Sequence, residues 1–407
     1  MQLTTLANGL RVASRSMQSV ETVAVGLYAD CGSRDEPAEL NGIAHLFEHM
    51  VFKGAGGRSA REISELVESV GGDLNAATDR EGTAFYASLL AADLALGVEL
   101  VADLVRRPHF ELKHLATEKK VVLQELAEAR DTPSDLVFEN LQSIAFPGQA
   151  MGRSVLGRAR SLDRVGIDDL ARWRDDHYRP NRLILVAAGK LEHAALVEIA
   201  ERRFGDMTGS PAPPLEPARF AGGWRSERSR GKQAHLAIGM AAPSWREPEN
   251  HAAQMFADVV GVGASSRLFQ ELREEQGLAY SISAMSQAFG DCGLFSVYLA
   301  TDRDDAQWAH GEVERVLGEA AATMSDAELS RARALAKAGM MMSLESCWGQ
   351  ASYVATRLQR DGRLVEPAEI VARLDAVTLD EVKAAGTRML SGPRAVASVG
   401  AKIAQAA

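Results

Sequence analysis

A chain of 407 residues is longer than one hydrophobic core usually organises, so length alone predicts two domains of about 200 residues each. With 46% apolar and 25% charged residues and no low-complexity stretch, the composition excludes a disordered or fibrous protein. A formal charge of −10, with Arg and Lys dispersed, excludes nucleic acid as the main partner, because phosphate binding needs a concentrated basic face.

In chain order, the first residues are strand-like on both sides of an Asn8-Gly9 turn, and no basic-then-apolar leader is read there. A strand-like segment over 22–30 precedes 41–54, which reads as a helix that Asn41 can cap at its start and Gly54 at its end. Inside it stand His45, Glu48 and His49. Positions i and i+4 share a helix face, so the two imidazoles can meet one ion, and Glu48 at i+3 lies on the same side. The order His-x-x-Glu-His is the inverse of the more familiar zinc motif and meets the same mechanical demands. The motif alone is of moderate specificity, since two surface histidines beside a glutamate spell the same letters.

After the Gly71-Gly72 break, 74–78 and 83–89 read as strands. The long apolar stretch 84–105 is interrupted by Asp93, Glu99 and Asp103, which excludes it as a membrane span. Residues 111–128 read as a helix on which Glu118 and Glu125, seven apart, lie within about 20° of one another and share a side with Leu115 and Val122. An inward carboxylate needs a partner, and a metal with its histidines would supply one. Surface pairing with Lys119 and Lys120 explains the same pattern, so periodicity leaves both readings open.

Beyond a further strand at 183–188, the Pro-, Gly- and Ser-rich stretch 207–223 reads as a linker. Past it the strand and helix order of the first half returns, which suggests a duplication. In that alignment Arg267 and Glu271 fall where the first half has His45 and His49, while Ala332 and Gly339 fall where it has Glu118 and Glu125. Only 1–206 therefore keeps a plausible metal site, and 224–407 is read as its metal-free homologue. Gly261 and Gly263 suggest a dinucleotide fingerprint, but the third glycine is missing and the preceding segment is helix-like. Gly152, Arg153 and Ser154 lack the closing glycine of a nucleophile elbow. Three scattered cysteines support neither a disulfide framework nor a cysteine metal site, and a reducing cytoplasm suits them.

The His45–His49 motif, the run Gly71–Glu81 and the spacing of Glu118 and Glu125 together resemble the pitrilysin-type (inverzincin) metallopeptidases, and within them the mitochondrial processing peptidase branch and its bacterial relatives. The resemblance extends over essentially the whole chain. It implies two similar α+β domains, each a mainly antiparallel sheet covered by helices on one side. It implies one zinc ion per chain on His45, His49 and Glu125, with Glu48 as general base and then acid and Glu118 orienting a histidine. It also makes Asn75, Ala76 and Ala77 an exposed edge that an extended peptide joins through main-chain hydrogen bonds. In the second half Arg273 and Tyr280 match an element that holds substrate near the zinc. A family member of this length implies a second chain, here a homodimer, with a heterodimer left open. The substrate expected is a short or unfolded polypeptide, with no membrane partner. The rival reading is a non-catalytic partner or structural subunit. Such relatives usually lose a ligand or the base, and all four positions are kept here.

Overall fold

The computed structural model describes residues 1–209 and 215–405, so part of the expected 207–223 linker lies outside the described residues. The chain forms β1 (Gln2–Thr5), β2 (Arg11–Ser16), β3 (Thr22–Ala29), the short pair β4 (Gly54–Ala55) and β5 (Arg58–Ser59), β6 (Asp73–Thr78), β7 (Thr83–Leu90) and β8 (Leu183–Gly189). The second half adds β9 (Gly223–Glu227), β10 (Gln233–Ala242), β11 (Ser281–Ala288), β12 (Gly293–Asp302) and β13 (Ala395–Val399). One sheet runs β1-β2-β8-β3-β7-β6 and the other β11-β12-β10-β13-β9. In the larger sheet the parallel pair is β2 with β8, and in the smaller it is β13 with β9; the other pairs are antiparallel. Reversing one order superposes β2-β8-β3-β7-β6 on β9-β13-β10-β12-β11, with each hairpin and each parallel pair at the same place. The expected duplication is thus written in strand order.

The two compact units are not the consecutive halves that were expected. The first comprises Met1–Leu126, Ser154–Leu215 and Met341–Glu366; the second comprises Ala127–Arg153, Glu216–Met340 and Pro367–Ala407. Each half thus lends one helix to the other half's sheet. The cause lies in strands buried on both faces. β8 is apolar and buried at every position, so it needs cover on two sides. One face of the first sheet, through Val25, Leu27, Phe85 and Leu185, packs on helices that include Ile43–Val51 and Leu94–Arg106. The other face, through Ala24, Tyr28, Ile184 and Val186, packs on Ala351, Val354, Ala355 and Leu358 of the helix Cys347–Asp361. In the second unit the helix Pro133–Ala145 sets Val137 and Leu141 against Ala237, Ala395 and Ala397. Helical cover on one side only is therefore corrected: both faces are covered.

No described helix is long and apolar enough to cross a membrane. None of the three cysteines forms a disulfide.

Candidate metal centre

The helix Ile43–Val51 divides its residues sharply. Ile43, Ala44, Leu46, Phe47, Met50 and Val51 are buried, and Phe47 stacks on Tyr178 with ring centroids 4.7 Å apart. His45, Glu48 and His49, half-buried, are left on the opposite face. The expected caps are different in fact. The helix ends at Val51, before Gly54, and its N-cap is Gly42 in the left-handed region, φ 99°. The groups that close its start belong to Glu36, itself buried, whose carboxylate accepts from Gly42 N at 2.8 Å, Ala44 N at 2.9 Å and the Asn41 side-chain amide at 2.7 Å. A carboxylate there satisfies orphan N–H groups and complements the helix dipole. Asn41 instead ties the entry to the neighbouring loop, donating to Ser154 O at 2.9 Å. A side chain on Gly157 would strike Asn41 O at 2.4 Å, so two glycines let these backbones touch.

The helix Leu112–Asp131 supplies the carboxylates. Glu125 Oε2 stands 3.8 Å from His45 Nε2 and 3.6 Å from His49 Nε2. These separations are too long for hydrogen bonds, and that oxygen is buried with no hydrogen-bond partner among the described residues. Two ligands each about 2.1 Å from one tetrahedral ion stand about 3.4 Å apart. One ligand atom from each of His45, His49 and Glu125 falls within 4.8 Å of the others, so two imidazoles and an orphaned carboxylate oxygen fit a zinc ion. Glu118, 3% exposed, lies behind this cluster: it receives His49 Nδ1 on Oε2 at 3.2 Å and Lys53 Nζ on Oε1 at 3.0 Å. With Nδ1–H donating, the lone pair of His49 sits on Nε2, facing Glu125. His45 has no such support, since its Nδ1 is buried without a hydrogen-bond partner among the described residues. Burial, helped by His49, lowers His45 to about 4, so its ring is neutral at pH 7.

Glu48 Oε2 accepts from Thr78 Oγ1 at 2.5 Å, which links the helix to β6. Burial pushes this carboxyl upward against the opposing pull of Thr78 and His49, and Glu125 adds to the rise. β6 is the last strand of its sheet, bonded to β7 alone, so its other edge is open. Along it Asn75 and Ala77 are exposed and Ala76 is buried, the alternation of a strand with one face on the core.

The sequence pattern of the insulinase family (peptidase family M16) matches residues 11–159, and that of the peptidase M16 inactive domain matches residues 164–335. An uncharacterized zinc protease of Rickettsia bellii is 31% identical over 97% of this chain and 96% of its own length. The chain belongs to peptidase family M16. The mitochondrial-processing peptidase subunit beta of Lentinula edodes is 31% identical over 96% of this chain and 87% of its own. A crystal structure of a protease from Helicobacter pylori shares the fold, with a TM-score of 0.88 at 19% identity over 98% of each chain.

Within the region that matches the M16 inactive domain, Arg273 and Tyr280 lie in the second unit. The Arg273 guanidinium sits 4.7 Å over the Phe269 ring, and Tyr280, 52% exposed, donates its hydroxyl to Asp302 at 3.1 Å. The first unit thus gathers His45, His49, Glu125, Glu48, Glu118 and the edge of β6. Two residues of this site, Glu36 and Thr78, escaped sequence reasoning. Thr78 carried a signal, since it lies two residues beyond Ala76 and so on the same face of its strand. Glu36 carried none, because a capping carboxylate seven residues before the first residue of a helix follows no local pattern.

Proposed function

We propose that this M16 chain is a zinc-dependent endopeptidase that hydrolyses short or unfolded peptides. The observation that carries the reading is the orphaned Glu125 oxygen standing between the Nε2 atoms of His45 and His49, with Glu48 on the same helix face. His45, His49 and Glu125 would hold the metal, one ion per chain. Zinc in such a site polarises a carbonyl and brings the pKa of water near neutrality.

The rest of the work falls to the chain's own groups. Glu48 takes the proton of the attacking water on a carboxylate oxygen and delivers it to the leaving amine. The Thr78 hydroxyl fixes the direction in which that carboxylate points. Glu118 keeps His49 in the tautomer that leaves Nε2 free. Asn75, Ala76 and Ala77 offer main-chain groups along the open edge of β6, where an extended peptide adds as a further strand and brings its scissile bond beside Glu48. Arg273 and Tyr280 are donors suited to a carbonyl oxygen that becomes an oxyanion. We assign them to substrate bound at the centre of a second copy of the chain, in a homodimer. Selection for extended chain explains the preference for short or unfolded polypeptides.

The test is hydrolysis of a quenched-fluorescent peptide library by the purified chain, with bound zinc measured in the same sample and Glu48→Gln run beside it. Cleavage by the wild type at about one zinc per chain, abolished in Glu48→Gln with its zinc retained, is the expected result. A zinc-free wild type refutes the proposal. Zinc without cleavage assigns the chain to a structural or partner role.

A further inference from the structure

The second unit holds an ion-pair frame around the element that carries Arg273. The segment Phe269–Glu275 is π-helical, a wide turn rarely found except where its surroundings sustain it. Leu268 and Leu272 are fully buried and anchor its inner side. Immediately before it, Arg267 forks onto Glu328, Nε to Oε1 at 2.5 Å and Nη2 to Oε2 at 2.9 Å, while Nη1 donates to Thr323 at 2.9 Å. Glu328 is fixed in turn by Ser325, whose hydroxyl and N–H donate to Oε2 at 2.7 and 2.9 Å at the start of the helix Asp326–Ser343. Hydrogen bonding from Arg267 holds the Glu328 carboxyl down at about 2, so the pair stays charged through the neutral range.

Two further straps come from the helix Ala306–Thr323. Arg315 reaches Glu271 at 2.8 Å, and Glu312 accepts from Gln276 at 3.0 Å. Arg315 also pairs with Glu312 and Glu319, so these contacts form a network. Past the segment, Leu278 N and Ala279 N both bond to Leu272 O, at 2.7 and 3.1 Å, and Tyr280 N bonds to Ala300 O at 2.8 Å. The backbone from Arg267 to Tyr280 is therefore held along its length, and Arg273 and Tyr280 project from it.

Isolated exposed ion pairs fix little. This one differs: it is bidentate, networked, and only 16% exposed on either side chain. A π turn that relaxes to an α-helix takes up one residue fewer, and everything beyond it rotates by about 100°. Such a rotation would carry Arg273 off its present direction.

We infer that Arg267 and Glu328 are positioning residues, whose ion pair keeps the π-helical segment wound so that Arg273 and Tyr280 hold one geometry toward substrate. The inference rests on the reading of Arg273 and Tyr280 as substrate-binding groups. The expected alignment of Arg267 with His45 is corrected by the duplicated strand order: the π-helical segment directly precedes β11, as the helix Ala60–Ser69 directly precedes β6, and the counterpart of the His45 helix is Asn250–Gly261.

The experiment is a mutant cycle on the full-length zinc-loaded protein with a quenched-fluorescent decapeptide chosen from those the wild type cleaves. Glu328→Gln and Arg273→Ala are made singly and together. Arg267→Lys, which keeps charge and loses the fork, is the second route to the same contact. Zinc content and thermal unfolding are measured on each. The expected result is that Glu328→Gln and Arg267→Lys each lower kcat/KM by about tenfold at unchanged zinc content, and that the double variant loses less than the two single effects multiplied together, the remainder reflecting Tyr280. Multiplying effects, or a lower melting temperature with kcat/KM unchanged, would overturn the positioning role while leaving Arg273 its function. An Arg273→Ala variant as active as wild type would instead remove the substrate reading, and the inference with it.

Discussion

Replacing Glu118 by glutamine probes the proposed centre behind a ligand rather than at one. The carboxylate uses both oxygens, Oε2 on His49 Nδ1 at 3.2 Å and Oε1 on Lys53 Nζ at 3.0 Å, and it is 3% exposed. Glutamine keeps the shape but offers one acceptor. If its oxygen stays with Lys53, its NH2 meets His49 and drives the ring proton to Nε2, the atom the metal needs. If the oxygen turns to His49, Lys53 loses its partner, which costs little because that side chain is 32% exposed and reaches water. Both outcomes remove the negative charge that makes the imidazole a stronger ligand. Losses of this kind amount to about 10–100-fold in metal affinity, or about 1.4–2.7 kcal/mol. The assay is competition for zinc against a chromophoric chelator at neutral pH, with urea unfolding of the metal-free protein beside it. The metal-free stability should fall by less than about 1 kcal/mol. Zinc affinity within about twofold of wild type would refute the reasoning, because a group that orients a ligand cannot be changed without altering its affinity.

Three further predictions follow from the same geometry. Glu125→Gln should weaken zinc binding far more than Glu48→Gln, since one is placed as a ligand and the other is not; equal zinc retention by dialysis in the two variants would contradict the roles proposed. Glu36→Ala should destabilise the first unit by about 3–5 kcal/mol, because Gly42 N, Ala44 N and the Asn41 amide lose a buried charged acceptor together; denaturant unfolding measures it, and a change below about 1 kcal/mol would mean that the cap is dispensable. Burial lifts the Asp258 carboxyl from 3.8 to about 6, only partly offset by Gln254 donating at 2.9 Å. Below the unfolded value both states are protonated and nothing is lost. As pH rises from the unfolded value of 3.8 to the folded value of about 6, the unfolded state gives up its proton while the native state keeps it, so stability falls by about 3 kcal/mol and then levels off above the folded value. Asp258→Asn should therefore gain about 1.5 kcal/mol over wild type near pH 5 and about 3 near pH 7.5. A gain independent of pH would show that ionisation is not the cause.

Where local periodicity governs, the sequence was sufficient. The 3.6-residue helix repeat places His45, Glu48 and His49 on one face whatever surrounds them. The same repeat puts Glu118 and Glu125 on one side of their helix, and the recurring order of elements shows in the matching strand orders of the two sheets. Periodicity reports which residues share a face, not what that face meets. That Glu125 stands between both Nε2 atoms while Glu118 sits on Nδ1 of His49 alone depends on how two helices far apart in the chain are packed. The cap of the motif helix was likewise read at Asn41 and belongs to Glu36, because several polar groups can reach a helix start and packing selects among them. The exchange of helices between halves had a visible cause, the unbroken apolar run of β8, which demands cover on both faces. Its agent was not visible, since an amphipathic helix such as Cys347–Asp361 carries no mark of which sheet it will bury its apolar side against.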